Sequence, residues 1–259
     1  MTPHLPLRLC RAAVVLATVC CFALPVWSAT INDGVTAITV SDTHGGVTDF
    51  VTGGSDHLFQ ADYYFRTGSM SAEDMMTGVN STYIQSVTAS GNDITVVGST
   101  SEFDFTLVYG LDGSGRMVPT LDITNTSGAQ LDLTLFNYQD WDVNGTAGGD
   151  TITWNGSLLT VSQGTTDIGI TPFSSPDAVE ASGWPILRNS LRDGSPTTLT
   201  DGAGLPFGPG DGTFAFQFDL SLAAGGSTTI IYTVPEPSTG LLGGLGLAGL
   251  AWSSRRRKL

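Results

Sequence analysis

Thr213-Phe214-Ala215-Phe216-Gln217-Phe218-Asp219-Leu220-Ser221-Leu222 places Phe214, Phe216, Phe218, Leu220 and Leu222 on one side of an extended chain and Ala215, Gln217, Asp219 and Ser221 on the other. Apolar residues at every second position mark a half-buried β-strand, because successive side chains of a strand point to opposite faces. Ala223-Ala224-Gly225-Gly226 then turns the chain, and Ser227 to Val234 returns with Ile230, Tyr232 and Val234 on one face. The expected element is a hairpin.

The same alternation recurs upstream. Phe103, Phe105, Leu107, Tyr109 and Leu111 share a face, the turn Asp112-Gly113-Ser114-Gly115 follows, and Met117, Leu121 and Ile123 continue in phase. Pro119 cannot donate to a ladder, so this partner strand is expected at an edge or at a bulge. Gly91-Asn92 and Asn155-Gly156 each separate two short alternating runs and fit two-residue hairpin loops. Leu131 to Val143 adds another strand, and Tyr63-Tyr64-Phe65 puts rings on both faces of its own, which requires a second covering layer. Only Met70 to Met76 reads as a short helix. These strands predict an all-β protein, an antiparallel β-sandwich of ten or more strands and of the large, supersandwich-like kind. Residues 30–234 are long enough to form one such body, with a split near Asp150 as the other possibility. The proline-rich stretch 172–211 reads as long loops crossing an end of the sandwich.

Both ends of the chain carry targeting patterns. Arg8 and Arg11 precede an apolar run from Ala12 to Leu24 and then Pro25-Val26-Trp27-Ser28-Ala29, the order of a secretory signal peptide over residues 1–29, with cleavage after Ser28 or Ala29 and export through the Sec pathway. A lipoprotein signal at Cys20 or Cys21 is the alternative, but no Leu stands three residues before either. The three cysteines, Cys10, Cys20 and Cys21, all fall in this segment, so the body has no disulfide framework, thiol nucleophile or zinc-thiolate site. Of the ten Lys and Arg, the body keeps only Arg66, Arg116, Arg188 and Arg192, against 23 Asp and Glu. Such a surface repels nucleic acid and anionic membranes and attracts divalent cations weakly.

At the far end, Pro235-Glu236-Pro237 holds an extended spacer, since each proline fixes φ and restricts the residue before it. Fifteen uncharged residues, Ser238 to Trp252, follow. As a helix they span roughly 22 Å, short of the roughly 30 Å of a bilayer core. Arg255, Arg256, Arg257 and Lys258 form a basic cluster that would stop on the cytoplasmic side. Gly240, Gly244 and Ala248 give this single transmembrane helix a small-residue face, suited either to self-dimerisation or to docking on a membrane enzyme.

A proline-bracketed glutamate, a Gly/Leu/Ala helix and a terminal basic cluster over residues 235–259 resemble the sorting tail of PEP-CTERM proteins. The resemblance implies an exosortase-type membrane enzyme as partner, cutting near Pro235-Glu236-Pro237. It also implies transient anchoring in the inner membrane before release or transfer to the cell surface, and association with extracellular polysaccharide. The expected function is that of an exported surface or matrix protein and not an enzyme. The alternative is a carbohydrate-active module, either a sugar-binding sandwich or a weak glycan-processing enzyme.

Candidate site residues in the body are few. His44, in Asp42-Thr43-His44-Gly45-Gly46, reads as a turn residue, and His57 as a structural hydrogen-bonding residue. No G-x-S-x-G elbow accompanies either of them. Glu73, Asp74, Glu102 and Glu180 read as solvated surface, and no catalytic constellation is recognised. Asp140-Trp141-Asp142-Val143-Asn144-Gly145 matches the opening of a calcium loop. Asp140, Asp142 and Asn144, with Asp150, are therefore the candidate calcium ligands, although Thr151 stands where such a loop places its bidentate Glu and no helices flank it. No other cofactor is expected. Tyr63, Tyr64, Trp141, Trp154 and Trp184 could stack on sugars, with core filling the commoner use of such rings. Trp184, in Ser182-Gly183-Trp184-Pro185, is the one least suited to a core.

Overall fold

The computed structural model describes residues 28–235; residues 1–27 of the expected signal peptide, Glu236, Pro237, the apolar stretch and the basic cluster lie outside the described residues, whereas Ser28 and Ala29 open the first strand. The described part begins with β1 (Ser28–Asn32), β2 (Thr36–Ser41), β3 (Val47–Thr52), β4 (Ser55–Asp56), β5 (Gln60–Thr67) and β6 (Asp74–Met75). It continues through β7 (Ile84–Ser90), β8 (Asp93–Ser99), β9 (Phe103–Leu111), β10 (Met117–Asn125) and β11 (Leu131–Asp140). After a short 3-10 turn, Val143–Gly145, come β12 (Asp150–Trp154), β13 (Leu159–Gln163), β14 (Thr166–Pro172) and β15 (Ala178–Gly183). Helix α1 (Ile186–Ser190), β16 (Phe207–Gly210), β17 (Gly212–Leu222) and β18 (Ser227–Thr233) complete it.

Two antiparallel sheets result. One runs β1-β2-β3-β5-β11-β17-β15, with β4 paired to β3 and β6 to β5; the other runs β16-β12-β13-β14-β18-β10-β9-β8-β7. Their facing sides share one core, in which Tyr63, Phe65, Leu135, Phe214, Phe216 and Phe218 of the first sheet meet Phe105, Leu107, Leu121, Ile168, Ile230 and Tyr232 of the second. The alternating faces of the sequence are thus the inner faces of the sandwich. Among the described residues, no helix is long and apolar enough to cross a membrane.

β17 and β18 do not form the expected hairpin. β17 pairs with β11 and β15 in the first sheet, while β18 pairs with β10 and β14 in the second. Both strands are apolar on one face, and facing each other across the core buries both at once, which lateral pairing would not. Ala223 to Gly226 therefore arches between sheets. Asn125, itself buried, holds the arch: its amide donates to the carbonyls of Ala129 (2.7 Å), Leu222 and Ala223 (both 3.0 Å).

Pro119 lies on a central strand and not at an edge. The β10–β18 ladder lapses around it, between the Thr120–Ile231 pair and the Met117–Val234 bridge. The Gly91-Asn92 turn joins β7 to β8 as read, whereas the Asn155 turn closes on Leu158 and so spans four residues. Met70 to Met76 is not helical. Met75 packs on the outer side of the first sheet and Met76 in the inter-sheet core, so neighbouring side chains point opposite ways as in a strand.

The stretch 172–211 is more structured than long loops. It contributes β15, α1 and β16, and lays Leu187, Leu191 and Leu199 over Tyr64, Phe136 and Tyr138 on the outer face of the first sheet. That face is apolar, and burying each ring there stabilises the fold by roughly 2 kcal/mol. Tyr63-Tyr64-Phe65 thereby has cover on both sides. Glu73, expected in solvent, is buried in an ion pair with Arg66 and accepts from the Thr197 N–H at 2.9 Å, tying this cover to β5.

Candidate functional site

The cover stops short of the sheet's edge where β5 begins and β11 ends. There β5 starts at Gln60, paired with Asp140, and Asp62 stands opposite Tyr138, so Gln60, Asp62, Tyr138 and Asp140 all point to the outer face. β11 also pairs with β17, Asp140 opposite Thr213. This brings Asp211, two residues before Thr213, to the same rim.

Two cavities meet here. One of about 190 Å³ is lined by Phe59, Asp140, Asp142, Ala147, Trp184 and Asp211. The other, of about 250 Å³, shares Phe59 and Trp184 and adds His44, Gln60, Asp62 and Arg188. Phe59 is 57% exposed and Trp184 43%, both high for large apolar side chains. Their main chains are fixed, since the Phe59 N–H donates to the Asp140 carbonyl (3.0 Å) and the Trp184 N–H to the Asp211 carbonyl (2.9 Å). Two aromatic rings therefore stand over a floor of carboxylates.

Electrostatics at this floor are unfavourable. Burial pushes the Asp140 carboxyl up to about 7, and the neighbouring Asp142 and Asp211 carboxylates add repulsion. Asp142 is raised as well, by burial first and then by Asp211 and Asp56. One oxygen from each of Asp140, Asp142 and Asp211 lies within 4.8 Å of the others. Asp140 Oδ2 accepts from the Tyr138 hydroxyl at 3.4 Å, while its Oδ1 has no partner.

Asp62 is the other buried acid. Burial raises its carboxyl to about 7, against the opposing influence of the Gln60 hydrogen bond and the charges of Arg188 and Arg192. It is wedged against the backbone, for a Cβ on Gly78, whose φ is +112°, would collide with its carboxylate.

The expected calcium loop is only half realised. Asp140 and Asp142 converge, but Asn144 turns away, its amide donating to Gln163 Oε1 (3.1 Å) and its side-chain oxygen accepting from Thr166 (3.0 Å). Asp150 opens β12, paired with Gly210. It is fully buried, and burial with the Asp142 charge raises it to about 7. Neither of its oxygens makes a hydrogen bond of ordinary geometry, although the Val143 and Gly148 N–H groups lie close enough to favour its anion. The third member of the cluster is instead Asp211, which nothing local in Gly208-Pro209-Gly210-Asp211-Gly212 marks as a ligand.

His57 sits away from both cavities. Its Nδ1 accepts from the Asn144 N–H at 3.0 Å and its Nε2 faces the Thr52 carbonyl at 3.3 Å, so both ring nitrogens are turned to the backbone. His44 occupies its turn as read, its carbonyl accepting from the Gly78 N–H at 2.6 Å, yet it also lines the larger cavity. Tyr63, Tyr64 and Trp141 are core residues, Trp141 edge-on to Phe50, and Trp154 packs on Phe216. Asp74 is exposed and accepts from the Tyr83 hydroxyl, while Glu102 and Glu180 accept from Thr67 and from the Thr200 N–H. Of the five candidate stacking residues, Trp184 alone reaches the cleft. Phe59, Asp62, Arg188 and Asp211 were not legible as site residues in the sequence. Pro235, the first residue of the processing motif, follows directly on Val234, which is buried and bridged to Met117.

Several solved structures share the fold. A bacterial glucoamylase complexed with acarbose superposes with a TM-score of 0.59 at 9% identity, over 80% of this chain and 31% of its own. The 4-alpha-glucanotransferase of Thermococcus litoralis gives 0.52 at 7% identity, over 81% and 37%. The Slr1438 protein of Synechocystis gives 0.51 at 8%, over 82% and 96%. The chain thus spans about a third of the two enzymes and nearly all of the Synechocystis protein, and at these identities the likeness is one of fold. No curated protein matches the sequence. The C-terminal end does match a family model: residues 233–257 fit the PEP-CTERM protein-sorting motif, so the chain carries a PEP-CTERM sorting motif at its C-terminal end.

Proposed function

We propose that this chain is a cell-surface protein whose sandwich holds an extracellular polysaccharide in the cleft beside Trp184, without turning it over. The sorting motif accounts for the destination: export, processing at the membrane by an exosortase, then placement at the surface. On this reading export runs through the Sec pathway on the signal at residues 1–29, and the apolar stretch from Gly240 to Trp252 anchors the chain until it is cut at Pro235-Glu236-Pro237. The observation that carries the binding reading is the shared wall of the two cavities, where Trp184 and Phe59 expose their rings beside Asp62, Gln60 and Arg188. Sugar rings offer apolar faces that stack on aromatics, and hydroxyls that bond to carboxylates, amides and guanidinium groups. Two adjoining cavities that share Phe59 and Trp184 and are otherwise lined largely by polar and acidic groups offer room for more than one sugar unit.

The test is sedimentation or affinity electrophoresis of the exported protein with polysaccharide from its own host's matrix. Saturable retention lost in Trp184→Ala, with no reducing ends released, is the expected result. Retention unaffected by that change removes the cleft from consideration, and release of sugar fragments makes the protein an enzyme.

A further inference from the structure

Asp140, Asp142 and Asp211 converge from two different parts of the chain on the floor of the smaller cavity. Clustered acids on so acidic a surface mean little alone. Here, however, Asp140 is only 2% exposed and lines the cavity with one carboxylate oxygen unpartnered. A buried acceptor without a donor is costly unless something electropositive satisfies it. Behind it stands Asp150, fully buried and paired along β12–β16 with Gly210, the neighbour of Asp211. Among the described residues no Lys or Arg forms an ion pair with any of these four.

We propose that Asp140, Asp142 and Asp211 bind a divalent cation of the calcium class. The donors are all carboxylate oxygens, the choice of hard cations, with no nitrogen or sulfur in the set. Their mutual separations, within 4.8 Å, are those of oxygens on one ion at about 2.4 Å. Three protein ligands leave several of the six to eight positions of calcium open towards the cavity, for water or for hydroxyls of a bound molecule. Magnesium, which needs a tighter octahedron and gives up its water reluctantly, fits this loose triangle less well. The ion would neutralise the repulsion that the fold otherwise carries between these side chains.

Terbium luminescence on the exported, metal-stripped protein tests this, since terbium replaces calcium and Trp184 lines the same cavity as an energy donor. One ion per chain is expected, displaced by calcium and poorly by magnesium. Asp211→Asn should weaken it about tenfold or more, while Asp193→Asn, an exposed acid outside the cavity, should not. Calcium should also raise the melting temperature of the wild type and of Trp184→Ala equally, so a failed glycan assay and a failed cation site read differently. If Asp211→Asn does not fold, Asp142→Asn serves with the same expected loss. No sensitised emission and no calcium-dependent melting shift, or affinity equal in wild type and both cluster variants, overturns the proposal.

Discussion

His57 Nδ1 accepts the backbone N–H of Asn144 at 3.0 Å, which leaves the proton of the neutral ring on Nε2, facing the Thr52 carbonyl. This one ring ties the β3–β4 corner to the turn that follows β11. Burial holds its pKa below the ordinary value. A base whose folded pKa is depressed binds more protons unfolded, so its contribution to stability is full above about 6.5 and is lost as the pH falls below it. Asp62, Asp140 and Asp150, raised by burial to about 7, act in the opposite sense over the same range, so the His57 share is read as a difference between wild type and variant. His57→Gln should lower stability at neutral pH by about 2 kcal/mol and by less at about pH 5. A difference that does not change with pH would assign no titration to His57.

Asp62 predicts the opposite sign. Its carboxyl, raised to about 7 by burial, takes up a proton on folding, so this contribution is full below about pH 4 and disappears as the pH rises through 7. Asp62→Asn keeps the shape and removes the charge. It should be more stable than the wild type at pH 8 by a few kcal/mol at most, and close to it at pH 4. Equal stability at both pH values would mean that Arg188 and Arg192 compensate the buried charge fully.

Asn125 ties the arch between β17 and β18 to the β10–β11 turn, the two hydrogens of its amide being shared among the carbonyls of Leu222 and Ala223 in the arch and Ala129 in the turn. Its replacement by Leu leaves those carbonyls without that donor and should cost about 2–3 kcal/mol, read as a lower urea midpoint with the slope preserved. A loss below about 0.5 kcal/mol would show that the turn backbone holds the arch without it.

Glu236 predicts a cellular outcome. With Glu236→Ala, the protein should accumulate as a membrane-held form of higher mass, seen by fractionation and intact-mass measurement. Processing at the wild-type rate would separate the motif from cleavage.

Much of the sandwich can be read from the chain because its hairpin turns are largely local: Gly91-Asn92 joins β7 to β8, and Asp112 to Gly115 joins β9 to β10, where one long-range bond, from the Gly115 N–H to Asp33, adds to the local pattern. Alternation, however, names a strand's faces and not its neighbours. For that reason β17 and β18 look like a hairpin and are an arch. Helix α1 has five residues, too few to show a helical period, and exists because Tyr64, Phe136 and Tyr138 need cover. The candidate site divides the same way. Asp140 and Asp142 announce themselves by spacing, and Trp184 by its glycine and proline neighbours. Asp211 comes to them only through the register of the β11–β17 ladder.

Among the described residues, β18 alone joins β16-β12-β13-β14 to β10-β9-β8-β7 in the second sheet. A strand near the carboxyl-terminal end of the described residues is therefore the keystone of that sheet. Without Ser227–Thr233 the second sheet is two half-sheets with no backbone ladder between them. Its closure is thus a long-range event, set by pairings of β18 with strands that precede it by more than fifty and by about a hundred residues.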